Sequence, residues 1–439
     1  MASSLREIVT AIAPTIPSTL ISPDALVAIG AVAQHFPLTL STTVGFECPL
    51  SDSTQADFFL RVSGPWGQSL LAGKPQPPPV LDQFQVDPGL LPPGFTCLWV
   101  NTPWSQIRAF AHQWVDPTSL LHTAVEDLWL EFDVVPGAHV LPSPSIFFGV
   151  QSSASLDWVG QTALPMLLDS PLPPQAKQIL QQCLAAIHAP AKLFQVGILS
   201  GRTTTVTGLP AIRLYIRDMA LAQIRSTLSH LAWLGDVELL TQLLSRVCQG
   251  TDRFTLQLEM QESLSPTIAI ECYFSDRLAW QKVLNRLVMT GFCTLERSQA
   301  LLNYPGCVRA QDPIAPFPSL LKRWSAQLAP YRECVLVKRL AYLKFTYQPG
   351  QPLLAKAYLG VSPTWLDARY LEPTPPAVQN SEQASLQHPE QASLAISLCK
   401  ALIQQLDYAE IDVDEIFPWQ RSQKSHWLNQ ALETMCVGG

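Results

Sequence analysis

The chain has 439 residues, of which 47% are hydrophobic and only 14% charged, and its formal net charge is −7. About a quarter of a typical soluble chain is charged, so a chain this poor in charge must bury much of its length. The acidic balance and the lack of a Lys/Arg block exclude a nucleic-acid-binding arm. No run of about 18 apolar residues marks a membrane-spanning helix.

The opening, MASSLREIVTAIAP, has no basic stretch followed by a long apolar one, so no secretory leader is expected and the cytoplasm is the expected location. Two helices follow, Leu5–Ile12 and Pro23–Phe36. A first pair of strands is predicted at Leu38–Glu47 and Asp57–Ser63, from period-2 alternation and β-branched or aromatic residues. The Gly/Pro-rich stretch 64–95 reads as a long loop or lid. Trp104–Val115 has helical spacing. A second strand pair lies at Leu128–Val134 and Ser145–Val150. Pro173 opens a helix to Ile187, since proline suits the first helical turn. The third pair is Leu193–Leu199 with Ala211–Asp218, and two helices broken near Gly235 fill Leu221–Cys248. The fourth pair, Phe254–Gln261 and Thr267–Phe274, precedes helical segments at Asp276–Leu302, in two pieces, and Ser319–Leu328. The fifth pair is Leu340–Tyr347 with Leu353–Val361. Residues 371–392 have the composition of a disordered segment, and Leu394–Leu406 reads as a last helix.

Short Gly/Pro/Ser connections join the strands of each pair, as in antiparallel hairpins. The fold class is therefore α+β, a single domain over 1–439 with ten antiparallel strands. So many strands strain an open twisted sheet. Closing them into a barrel surrounded by helices removes both edges.

Successive strand residues face opposite sides. Ile212, Leu214 and Ile216 share one face, while Arg213, Tyr215 and Arg217 share the other. Lys356 and Tyr358 alternate with Ala355, Ala357 and Leu359. If helices cover the apolar faces, the polar faces line a lumen. On an open sheet the same faces would meet water. The lumen also collects acids: Glu131, Asp133, Glu259 and Glu271.

The five repeats and these strand patterns resemble the ABBA, or PT-barrel, prenyltransferases. The repeat architecture matches over nearly the whole chain, and the residue-level match rests on short motifs. The resemblance implies Glu47 in GFEC as the carboxylate that meets the aromatic acceptor. It implies Arg61 in FFLRVSG as a diphosphate ligand, and Arg213 with Tyr215 and Lys356 with Tyr358 as basic-x-Tyr pairs. Glu271 and Tyr273 in IECYF keep the tyrosine but carry an acid. The fourth strand, SIFFGV, has no Lys-x-Tyr pair, which implies altered donor use or lost activity.

The implied reaction is transfer of a prenyl group from an allylic diphosphate to an aromatic small molecule or peptide side chain. Arg61, Arg213, Arg217, Lys344 and Lys356 would hold the diphosphate through charge-assisted hydrogen bonds. Tyr215, Tyr273, Tyr342 and Tyr358 would shield the allyl cation with their π faces. Trp129, Glu131 and Glu271 would line the acceptor pocket. Structural alternatives stand beside these roles: Arg217 paired with Asp218, Lys344 with Glu259 or Glu271, and Tyr342 or Trp129 in the core.

No residue set for a resident cofactor stands out, and the use of magnesium is left open by the resemblance. The ten cysteines are scattered without a C-x-x-C pair, so free buried thiols are expected and a zinc site is not. Phosphate-loop, H-E-x-x-H and G-x-S-x-G motifs are absent. Two other readings remain: a barrel that cyclises or hydrolyses a prenyl diphosphate without an acceptor, and a non-catalytic barrel that binds a hydrophobic ligand or peptide.

Overall fold

The computed structural model describes residues 3–74, 91–92, 94–98, 102–138, 140–151, 155–200, 208–251, 253–312, 316–328 and 332–367, with 397, 400 and 409–410 beyond them. The predicted Leu394–Leu406 helix and the 371–392 segment lie almost wholly outside the described residues.

The strands are β1 (Thr43–Pro49), β2 (Asp57–Val62), β3 (Val125–Phe132), β4 (Ser145–Val150), β5 (Lys192–Leu199) and β6 (Ala211–Met219). They continue with β7 (Arg253–Met260), β8 (Leu264–Tyr273), β9 (Gly306–Val308), β10 (Arg332–Tyr347), β11 (Leu354–Asp367) and the two-residue β12 (Ala409–Glu410). Neighbours run β1-β2-β3-β4-β5-β6-β7-β8-β10-β11, all antiparallel. β11 then pairs with β1, placing Gly360 opposite Gly45 and Tyr358 opposite Glu47. The ten strands thus close into a barrel, as alternation and the edge argument predict. β9 takes the place of β8 beside the first half of β10, and β12 lies parallel to the end of β11.

The hydrophobic core lies between the barrel wall and its helices. Outward residues such as Phe46, Phe58, Leu214 and Ile270 are fully buried in it. Helix starts follow their capping residues. Ser22 caps Pro23–Ala33, Asp236 caps Val237–Val247, Asp276 caps Arg277–Met289 and Thr294 caps Leu295–Asn303, each accepting from a first-turn amide. Helix Val237–Val247 buries Leu240, Leu244 and Val247 on its barrel side.

Several boundaries differ from the sequence expectation. Residues 38–40 form a 3₁₀ turn, not the start of β1: Leu40 N donates to Pro37 O at 3.0 Å. β8 begins earlier, at Leu264. β10 and β11 extend far beyond their predicted ends, to Arg332 and Asp367. There Cys334, Val335, Leu336 and Val337 are all buried, so no alternation shows. The 64–95 stretch carries helices at Pro65–Leu71 and Phe95–Leu98, and its residues 75–90 lie outside the described residues.

One buried arginine ties three segments together. Arg297, 3% exposed, sits in helix Leu295–Asn303. Its Nε donates to Thr19 O at 2.9 Å, Nη1 to Pro49 O at 2.9 Å and Nη2 to Ser53 O at 2.8 Å, with a further bond to Ser51 O. These carbonyls belong to the β1–β2 connection and the segment before helix Pro23–Ala33. Arg297→Met leaves them buried without donors, at about 1–3 kcal/mol each where water cannot replace the guanidinium. Denaturant titration is expected to show a loss of about 3 kcal/mol or more. A loss under about 0.5 kcal/mol, the range of ordinary surface substitutions, would show that the knot does not hold these segments.

Candidate functional site

Register places the predicted polar faces inside the barrel. Arg213 lies opposite Glu259 and Gly197, Glu271 opposite Lys344 and Thr255, and Lys344 opposite Lys356. The interior has three zones along its axis: an aromatic chamber at the helix-connection end, a charged layer, and a polar chamber at the hairpin end.

The charged layer is built on Glu47, 1% exposed. Lys344 Nζ donates to Glu47 Oε2 at 3.2 Å and to Tyr358 Oη at 2.9 Å. Lys356 Nζ donates to Glu47 Oε1. Burial opposes the charge of Lys356, but the Glu47 charge and hydrogen bond outweigh it, so its pKa is raised. Of the two sequence alternatives for Lys344, neither forms as a direct bond: Glu47 holds the ammonium.

The aromatic chamber has a volume of about 300 Å³. A row of tyrosines forms one wall. Tyr342 stacks on Tyr358 with centroids 4.3 Å apart, and Tyr273 lies 5.2 Å from Tyr342. Tyr215, Trp129 and Phe147 line the opposite side. Phe147 meets Tyr215 edge-on at 5.7 Å. Its ring lies over Gly197, where a Cβ would approach to 2.2 Å, so only glycine admits it. Tyr342 and Trp129 are therefore chamber residues rather than members of the outer core.

Glu271 joins the tyrosine wall to the charged layer. Its Oε2 accepts from Tyr273 Oη and its Oε1 from Gln257 Nε2, both at 2.5 Å. Burial pushes its pKa up to about 6, against the lowering effects of Tyr273 and Lys344. Asp57 is raised to about 7, again first by burial and then by Glu47.

The other predicted cations stand on carboxylates. Arg61 Nε donates to Asp127 Oδ2 at 2.7 Å, with its guanidinium 5.8 Å from the Trp129 ring centre. Arg213 Nη2 donates to Glu259 Oε2 at 2.7 Å. Arg217 lies 3.6 Å from Asp218 and over Phe194. Arg61 and Arg217 reach the aromatic chamber, whereas Arg213, Lys344 and Lys356 line the polar chamber. The structure thus divides the predicted diphosphate ligands between two compartments. Glu131 lines the aromatic chamber beside Trp129.

Sequence reasoning missed Arg339. Strict alternation from Tyr342 and Lys344 puts Arg339 outside the barrel. A bulge between Leu340 and Tyr342 shifts the phase, so Arg339 pairs with the inward Gly360 and enters the aromatic chamber. Among the described residues it has no carboxylate partner. The only sequence signal was Gly360: a Cβ there would come within 3.3 Å of the Arg339 side chain.

Among the described residues no three His, Cys, Asp or Glu side chains cluster to hold a metal ion, and no helix is long and apolar enough to cross a membrane. Cys48, Cys183, Cys248, Cys272, Cys293 and Cys307 are free thiols.

No protein-family model and no curated protein matches the chain. Several solved structures are similar to it. They include 5-dimethylallyltryptophan synthase from Streptomyces coelicolor, with 14% identity and a TM-score of 0.44 over 82% of this chain and 98% of that one. The prenyltransferase PriB, in a ternary complex with L-tryptophan and dimethylallyl thiolodiphosphate, is 12% identical with a TM-score of 0.43 over 85% of this chain and 97% of that one. AnaPT from Neosartorya fischeri is 12% identical with a TM-score of 0.36 over 75% and 78%. The closed ten-stranded barrel with surrounding helices, the architecture of a PT-barrel, stands on its own hydrogen-bond ladder.

The folded chain retains the Glu271 proton where an unfolded chain, with the ordinary value of 4.5, has lost it. The folded state therefore binds more protons between about pH 4.5 and 6, and this contribution to stability is full at low pH and lost as pH rises through 6. At about 1.4 kcal/mol per pKa unit, Glu271→Gln is expected to flatten the stability–pH curve in that window by about 2 kcal/mol. Denaturant titrations of both proteins from pH 4.5 to 7 measure it, and parallel curves would place Glu271 in a wetter site.

Proposed function

We propose that the barrel transfers a prenyl group from an allylic diphosphate to an aromatic acceptor held in the aromatic chamber. The observation that carries this reading is the stacked tyrosine wall, Tyr273–Tyr342–Tyr358, in the same chamber as Arg61, Arg217 and Arg339. An allylic diphosphate has a highly charged head and an apolar, cation-forming tail. Arg339 brings a guanidinium without a carboxylate partner among the described residues, and the Asp127 bond of Arg61 uses only Nε. Both offer terminal nitrogens to a leaving diphosphate. The tyrosine faces stabilise the allyl cation without attacking it. The closed wall keeps water from quenching it.

Glu271 is the proton acceptor in this reading. It lines the chamber, and a pKa of about 6 leaves it ionised yet basic at neutral pH. Glu47, one layer deeper, holds Lys344 and Lys356 and sets the positive field beneath the tyrosines. The cavity suits a short prenyl group with a single-ring or indole-sized acceptor better than a large peptide, since small-molecule pockets begin near this volume.

A second reading, a non-catalytic barrel for an apolar ligand, is favoured by a specific feature. β4 turns Phe147 into the chamber and carries no Lys-x-Tyr pair, and the Arg213 and Glu47 ion pairs are already satisfied. Calorimetry with dimethylallyl, geranyl and farnesyl thiolodiphosphates, with and without magnesium, separates the two. Transfer predicts a Kd below about 100 μM, near −5.5 kcal/mol. Arg339→Ala is expected to weaken it at least tenfold, since a hydrogen bond to a charged group contributes about 1.5–3 kcal/mol. If none of the three binds, the ligand-binding reading replaces transfer.

A further inference from the structure

Glu271 is held on both of its oxygens. Oε2 accepts from Tyr273 Oη and Oε1 from Gln257 Nε2. Gln257 is 1% exposed on β7, with Tyr215 opposite it on β6 and Ala269 on β8. It lines the polar chamber and Glu271 lines the aromatic one, so their contact joins the two compartments. The titratable and charged groups around Glu271 come from three strands: Tyr273 on β8, Tyr342 and Lys344 on β10, and Tyr215 on β6.

This surround suits a carboxylate and not a carboxylic acid. Lys344 has only protons to give, and the Tyr273 hydroxyl already donates to Oε2. A proton added to Glu271 needs an acceptor. Gln257 carries one: its Oε1 is buried and makes no hydrogen bond among the described residues. The two ends of an amide differ little in size, one donating and the other accepting. A half-turn of the Gln257 amide therefore exchanges a donor for an acceptor at Glu271. One end of the amide is without a partner in either orientation, so the turn loses no further hydrogen bond.

We propose that Gln257 is the positioning residue of Glu271 and serves it in both charge states, as donor to the carboxylate and, with its amide turned, as acceptor for the carboxyl proton. Its part in the reaction rests on the transfer reading; the two-state contact does not. In transfer, the electron pair of the attacked ring's C–H bond returns to the aromatic system and the proton passes to Glu271. Glu271 becomes neutral, and the turned amide keeps it in place.

Infrared titration of the full chain tests this without any prenyl substrate. The C=O band of the protonated carboxyl, identified by its loss in Glu271→Gln, is followed as pH rises. Gln257→Met, close in size and without polar ends, is expected to raise the midpoint by about one pH unit, since a hydrogen bond to the charged form is lost. It is also expected to move the band to higher frequency, because the carboxyl O–H loses its acceptor. Gln257→Glu is expected to hold one proton between two carboxyls and to raise the midpoint at least as far. Thermal melts show that each variant is folded. A midpoint unchanged in both variants would overturn the proposal. A raised midpoint with an unmoved band in Gln257→Met would overturn the two-state contact. If both shifts are found while no prenyl thiolodiphosphate binds, the transfer reading alone is lost.

Discussion

Closing ten strands into one barrel satisfies the backbone of both sheet edges, and it confines the inner half of every strand's side chains to one enclosed space. The outer half packs under helices and needs only to be apolar. The inner half includes Glu47, Lys344, Lys356, Arg213, Glu259 and Glu271, so burial of charge becomes the governing problem. An unpaired charge in such a place costs several kcal/mol. The interior therefore arranges its ions in contact across neighbouring strands, and those contacts divide it into compartments.

The acids of the lumen acquire a meaning from this arrangement. Read as a list, they argue against an anionic ligand. In place, Glu259 and Glu47 sit on cations, and Glu271 is held by a phenol and an amide. What matters for a ligand is the donor capacity that remains. On the aromatic side that capacity is Arg339 with the free end of Arg61. A buried pair such as Lys344–Glu47 is weak evidence for net stability, but it fixes Tyr358 through the Lys344 hydrogen bond and so holds the tyrosine wall.

Much of this was legible in the sequence because a half-buried strand writes its two environments in alternate residues. IRLYIRD and AKAYLG place Arg213, Tyr215, Lys356 and Tyr358 inside, where all four line the lumen. Legibility fails where that contrast is lost. Residues 334–337 are buried on both faces, so the extension of β10 is silent. Leu38 and Leu40 are both buried in a turn that mimics a strand, because Pro37 and a local hydrogen bond set the backbone. Arg339 was invisible for a third reason: a single extra residue, Ala341, reverses the phase. Beyond the sequence neighbours Arg217 and Asp218, pairing partners were not legible. Which carboxylate Lys344 meets depends on closure between β10, β11 and β1, which no local pattern encodes.

The departure on β4 is best understood with the bulge on β10. Phe147 lies over Gly197 and edge-on to Tyr215, enlarging the aromatic surface of the chamber. A guanidinium enters the same chamber from β10, at Arg339, across from a glycine that gives it room. Arg339 thus joins Arg61 and Arg217 as the chamber's cations, while the tyrosine wall, Trp129 and Phe147 supply its rings. An allylic diphosphate has this same polarity: its head needs hydrogen-bond donors at an entrance, and its tail needs a dry aromatic interior in which a cation can live long enough to meet an acceptor.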